Sequence, residues 1–356
     1  MPRIAIIGTT TWGMTLGTVL AHKSLQVRLW ARTEQEATKL KKDGPNPVLP
    51  PGINFPSHLS VTSSLSEALD GVKAVILAVP SQTMRENIRL VSEHLTESTM
   101  VMSAAKGLEV GSGKRMTEVI AEEIDPGLWS NICVLSGPNL SGEILRDLPA
   151  ATVVAAESET VAIAAQKMLT TPNLCAYHNT DVIGVELGGA LKNIIALAAG
   201  VADGLGYGDN AKATLITRGL AEMTALGVAL GANPLTFAGL AGLGDLVATC
   251  ASPLSRNHYV GVELAKGRPL EEITSSMHHV AEGISTTAAT WNLAQQLGVE
   301  MPITEKMYQV LYQGADPQQA ATELMGIQAR HELAGRRWKL LKLFSFFRQK
   351  NSVGST

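Results

Sequence analysis

The chain has 356 residues, 45% of them hydrophobic and 17% charged, with a net charge of −3. That is apolar material for about two domains of ~150 residues, and the wrong sign of charge for a nucleic-acid binder that works by bulk attraction. The 3 cysteines, Cys133, Cys175 and Cys250, are far apart with no CxxC pair, which excludes a disulfide scaffold and a zinc ribbon, fits a reducing cytoplasm and leaves no metal site to read.

The first half alternates strands and helices. Strands are predicted at Arg3–Ile7, Gln26–Trp30, Ala74–Val79, Thr99–Ala105 and Ile132–Ser136. Helical patterns lie between them, at Met14–His22, Ser66–Leu69, Met84–His94 and Lys114–Ile124. Alternation of this kind means βαβ units, hence a doubly wound, Rossmann-like parallel sheet. Ala151–Ala155 and Leu174–Tyr177 read as late additions to it. From Val182 onward the pattern is almost wholly helical, so an α/β dinucleotide-binding domain, 1–180, is expected to precede an all-α substrate domain, 181–329. The stretch Val182–Leu205 is the most apolar, but Glu186, Lys192 and Asp203 interrupt it, and a buried helix reads better than a membrane span. A tail, 330–356, interleaves Arg336, Arg337, Lys339 and Lys342 with Trp338, Phe344, Phe346 and Phe347. This composition allows a weak membrane-surface contact or a solvated tail.

Gly8-Thr9-Thr10-Thr11-Trp12-Gly13 sits where a strand feeds the first helix, the position of a dinucleotide fingerprint. Gly8 allows the tight turn, Gly13 the close helix–strand contact, and the helix N-terminus faces the pyrophosphate. Thr10 stands where the middle glycine belongs. A site for NAD carries Asp or Glu about 20 residues further on; no acid occurs here until Glu34, whereas Arg32 suits a 2′-phosphate. NADP(H) is therefore the expected cofactor, with NAD(H) second.

Lys192 lies on a helix face kept bare by Gly188, Gly189 and Ala196. A desolvated lysine there is either a general acid/base or one half of a structural ion pair. Ser255 reads as an N-cap, placing Arg256 and Asn257 in a first turn where backbone N–H groups favour an anion. Asp245, on the glycine-rich turn Gly242–Leu246, either pairs with Lys192 or caps a helix. Lys106 and Ser136-Gly137-Pro138-Asn139 follow strand ends, the usual ligand crevice of such a sheet.

In this order, Gly8…Thr11-Trp12-Gly13, Ser103–Glu109, Ser136-Gly137-Pro138, Val185–Asn193, Gly242–Leu246, Ser255-Arg256-Asn257, Val280–Gly283 and Pro302–Glu305 resemble the bacterial, biosynthetic NAD(P)-dependent glycerol-3-phosphate dehydrogenase family. The resemblance runs from Arg3 to about Met325. It implies a cytoplasmic homodimer that reduces dihydroxyacetone phosphate to sn-glycerol 3-phosphate for phospholipid synthesis. By the same resemblance Lys192 is the proton donor/acceptor. Lys106, Gly137, Asn139, Lys192, Asp245, Ser255, Arg256 and Asn257 bind substrate. Gly8, Thr11, Trp12, Gly13, Arg32, Lys106, Ser141, Arg256, Val280 and Glu282 bind cofactor. Thr10, Asn139-Leu140-Ser141, Val48 (near a position where the family carries an aromatic) and the long tail depart from the pattern. Two other readings stand beside this one, a sister β-hydroxyacid-type dehydrogenase and a catalytically silent dinucleotide sensor.

Overall fold

The computed structural model describes residues 2–45, 49, 52–277 and 280–326. Val48 and the 330–356 tail therefore lie outside the described residues. Eight strands form one sheet in the order β3-β2-β1-β4-β5-β6-β7-β8. They are β1 (Arg3–Ile7), β2 (Gln26–Trp30), β3 (Leu59–Thr62), β4 (Ala74–Leu77), β5 (Met100–Ser103), β6 (Ile132–Ser136), β7 (Ala150–Ala155) and β8 (Leu174–Asn179).

The sheet is doubly wound because its strands are apolar on both faces. Ile4, Ile6, Ile76 and Met102 enter one buried cluster, while Ala5, Ile7, Val75, Leu77 and Val101 enter the other. Period-two alternation sends neighbouring residues to opposite faces, and each face is covered by helices. The expected parallel sheet needs one correction: β6 and β7 pair antiparallel, with Val134 opposite Ala155. The connection there is the short helix Ser141–Ile144, too brief for a parallel crossover. β3 was not expected. It is an edge strand of four residues with Ser60 exposed, so it carries little periodic signal.

β4 and β5 also end earlier than predicted, at Leu77 and Ser103. Backbone pairing continues one step, Ala78 N–H to Ile7 O at 2.9 Å and Ala104 N–H to Leu77 O at 3.0 Å, before each chain turns into the crevice.

No strand follows Asn179 among the described residues. The helix Val182–Gly204 is the axis of this half, and its most apolar window is 94% buried. Arg256–Ala265 crosses it where Gly200 faces the His258 carbonyl and Gly261 the Leu197 carbonyl; a Cβ on either glycine would strike backbone. Gly208–Ala229, Asp245–Ala251, Glu282–Leu297 and Pro302–Tyr312 complete the packing. The described residues up to Ala321 form one compact unit.

Candidate active site

The carboxyl ends of β5 and β6 meet the helix Val182–Gly204, where Gly189 faces Ser136 and Lys106. The first element of the site is the turn after β1. Gly8 has φ +110°, and a Cβ there would come within 2.7 Å of the Ala78 carbonyl oxygen. A Cβ on Gly13 would strike the Gly8 carbonyl oxygen. Both glycines are thus required by a turn that brings the N-terminus of Thr11–His22 against the strand ends. Thr10 is the N-cap. Its hydroxyl donates to Ala78 O at 2.7 Å and accepts from Gly13 N–H at 3.0 Å. The side chain therefore turns toward β4 and occupies one N–H of the helix terminus. Thr11 opens that helix, and Trp12 packs against the sheet.

The second element is a charge cluster. Lys192 Nζ donates to Asp245 Oδ1 at 2.5 Å and to the Thr249 hydroxyl. Lys106 Nζ donates to the other oxygen, Asp245 Oδ2, at 2.7 Å, and to Gly137 O at 2.7 Å. Asp245 is 2% exposed, so one buried carboxylate serves two ammonium groups. It pairs rather than merely capping its helix. Burial pushes Lys106 down to about 8, against the attraction of Asp245 and with the repulsion of Lys192. The surplus positive charge of this cluster has no partner in the cluster itself, which suits an anionic ligand. Gly189 makes the approach feasible: a Cβ there would strike Ser136 Oγ and lie 3.4 Å from Lys106 Cγ.

The third element is the first turn of Arg256–Ala265. Ser255 caps it, accepting from His258 N–H at 3.2 Å, as the sequence predicts. Asn257 is buried and bridges Asn193 Oδ1 at 2.9 Å and Gly283 N–H at 2.9 Å. Asn193 Nδ2 in turn reaches Lys106 O at 3.2 Å. Arg256 projects outward, with Nη1 on the Val280 carbonyl at 2.8 Å. Glu282 accepts from Ser81 N–H at 2.9 Å and from the Ser81 hydroxyl, tying Glu282–Leu297 to the turn after β4. Burial raises the Glu282 carboxyl, while Ser81 and Arg256 lower it.

Both side-chain atoms of Asn139 are buried without a partner, and so are the hydroxyls of Ser103 and Ser136. Orphaned polar groups at adjoining strand ends, beside a turn that a Cβ would fill, fit a polar ligand such as a nicotinamide dinucleotide with its substrate. Gly137, at φ +109°, turns its carbonyl onto Lys106, and Ser141 opens the helix that follows.

Sequence reasoning missed three participants. Thr249 lies one helical turn from Asp245, a spacing that would have paired them. Ser81 gives no local signal. Glu186, in the same helix as Lys192, accepts from Arg115 Nη1 at 2.6 Å and from Thr117 N–H at 2.8 Å, joining that helix to Met116–Glu123. Arg32 lies where expected, but its guanidinium is already engaged, with Nη1 on Glu86 Oε1 at 2.8 Å and Nη2 on Asn87 Oδ1 at 3.3 Å.

A glycine-turned sheet facing a helix-borne lysine–carboxylate pair defines a chain of the dehydrogenase class, an oxidoreductase. The family models for the N-terminus and the C-terminus of NAD-dependent glycerol-3-phosphate dehydrogenase match residues 3–162 and 181–322. The chain belongs to that family. A relative from Dehalococcoides mccartyi, named glycerol-3-phosphate dehydrogenase NAD(P)+, is 62% identical over 97% of this chain and 96% of its own. One of the same name from Streptomyces coelicolor is 48% identical over 93% and 98%. The crystal structure of glycerol-3-phosphate dehydrogenase from Coxiella burnetii superposes with a TM-score of 0.86 at 36% identity, covering 91% of this chain and 99% of that one. This membership displaces the sister β-hydroxyacid reading.

Proposed function

We propose that the chain reduces dihydroxyacetone phosphate to sn-glycerol 3-phosphate, reversibly, with NADPH or NADH, in the cytoplasm, for glycerophospholipid synthesis. The observation that carries this reading is the pair of ammonium groups on Asp245, Lys192 at 2.5 Å and Lys106 at 2.7 Å, in a family whose relatives bear the enzyme's name. Residues 1–180 supply most of the dinucleotide contacts, 181–329 carry Lys192 and the Ser255–Asn257 turn, and each half lends residues to the other's ligand. Gly8, Thr11, Trp12, Gly13, Arg32, Ser141, Val280 and Glu282 would hold the cofactor, which supplies a hydride when bound.

Lys192 holds the proton that goes to the substrate's C2 oxygen as C2 is reduced, so the C=O bond becomes an alcohol C–OH. Asp245 orients that ammonium through the 2.5 Å contact to Oδ1. Lys106, Ser255, Arg256 and Asn257 take the phosphate and hydroxyl groups, with Gly137, bonded to Lys106, and Asn139 beside them. Arg256 touches both ligands. A homodimer is part of the reading, checked by light scattering.

The test is consumption of reduced nicotinamide by the purified chain with dihydroxyacetone phosphate. Turnover supports the reading. Cofactor binding without turnover returns the silent sensor.

A further inference from the structure

β1 and β2 are neighbours in register, with Ile7 opposite Trp30. The turns that follow them, Gly8–Thr10 and Ala31–Thr33, therefore lie side by side at the carboxyl edge of the sheet. One carboxylate joins them. Glu36, in the first turn of Glu34–Asp43, accepts the Arg32 backbone N–H on Oε2 at 3.1 Å and the Thr9 hydroxyl on Oε1. Thr33 caps the same helix by accepting Glu36 N–H at 3.2 Å, which sets where Glu36 falls. Glu34, the first acid in sequence after β2, turns away to the Ser63 hydroxyl beyond β3.

In a dinucleotide-binding sheet, the ribose of the adenosine half lies outside the end of the second strand, and an acid there takes its 2′-hydroxyl. Glu36 reaches that place from the helix rather than from the strand, so counting along the chain overlooks it. A carboxylate has about four lone-pair directions, and the two bonds it makes here leave room for a hydroxyl. A 2′-phosphate would meet it charge against charge. Arg32, the group suited to that phosphate, must first leave Glu86.

We propose that Glu36 is a specificity-determining residue that accepts the ribose 2′-hydroxyl of NAD(H) and opposes the 2′-phosphate of NADP(H), with Arg32 acting in the opposite sense. The site is thereby tuned toward accepting both nucleotides. This rests on the dinucleotide reading above.

The test is equilibrium binding of NADH and of NADPH to the full chain, without substrate, followed by nicotinamide fluorescence. Glu36→Gln is expected to weaken NADH about tenfold, the size of one lost charge-assisted hydrogen bond, and to tighten NADPH. Thr9→Val, which removes the neighbouring donor but keeps the carboxylate, is expected to leave the ratio of the two dissociation constants in place. Arg32→Ala is expected to move that ratio toward NADH. Should Glu36→Gln not fold, Glu36→Asp carries the same sign with a smaller shift. Equal weakening of both nucleotides, or no change in either, overturns the proposal and leaves Glu36 a structural link. Binding of neither nucleotide by the unmodified chain overturns the dinucleotide reading itself and this proposal with it.

Discussion

Lys192 Nζ lies 2.5 Å from Asp245 Oδ1, a contact between two helices whose partners are 53 positions apart in the chain. Asp245, with the Thr249 hydroxyl, sets the aim of the ammonium. Lys192→Ala is expected to lower turnover about 10²–10⁴-fold, the usual contribution of one positioned acid/base, while nicotinamide fluorescence still reports cofactor binding. Lys192→Arg is not expected to rescue it, because a guanidinium does not release its proton. Unchanged turnover in Lys192→Ala removes this side chain from proton transfer.

Asp245→Asn leaves the Lys192 and Lys106 ammonium groups side by side without their common anion. Breaking a buried pair in this way costs about 3 kcal/mol or more. A lower Tm is expected, partly restored by dihydroxyacetone phosphate, whose phosphate supplies negative charge to the same pocket. A Tm equal to that of the unmodified chain, with and without substrate, would show that the cluster is not strained by its excess charge.

Lys106 carries a pH signature. Its ordinary value of 10.5 falls to about 8 in the folded chain. Between those values the unfolded chain binds more protons, so this group makes stability rise with pH from about 8 to 10.5. Substrate binding runs the other way, since the neutral amine no longer attracts phosphate. KM for dihydroxyacetone phosphate is expected to climb above about pH 8, and Lys106→Arg to flatten that climb. A KM profile identical in both proteins assigns the alkaline limb to another group.

Thr10 takes the Gly13 N–H that a glycine at the same position would leave free. Thr10→Gly should cost only a few tenths of a kcal/mol of cap energy, while tightening dinucleotide binding by freeing one donor at the helix terminus. Titration of both nucleotides against this variant checks the sign. Weaker binding would mean that the tie from Thr10 to Ala78 shapes the loop for its ligand.

Glu222 accepts Ile303 N–H at 2.8 Å and Thr304 N–H at 3.3 Å, capping Pro302–Tyr312 from a neighbouring helix. Burial raises its carboxyl from 4.5 to about 7 despite those bonds. The folded chain then binds more protons between these values, so stability from this group is full below about 4.5 and is lost as pH rises through about 7. Tm measured across that window should slope downward, and Glu222→Gln should flatten the slope.

Local chemistry alone determined much of this protein. Apolar strands with both faces hydrophobic admit little besides a doubly wound sheet, so β1, β2 and β6 were legible to the residue. The Gly8–Gly13 turn and the Ser255 cap were legible for the same reason, since each depends on atoms within a few positions of one another. Lys192 stood out because small residues bare its helix face. The tertiary structure decided the rest. Lys106 and Asp245 are 139 positions apart, and only the packing of Gly189 beneath Ser136 and Lys106 lets both lysines reach one carboxylate. β3 became a strand by pairing with β2, not by its own pattern. Glu36 looked like any acid in a helix's first turn until β1 and β2, lying in register, placed Thr9 and the Arg32 N–H on either side of it. Periodicity and caps act over one turn of chain, whereas a site of opposed charges exists only where distant segments are held together by the core.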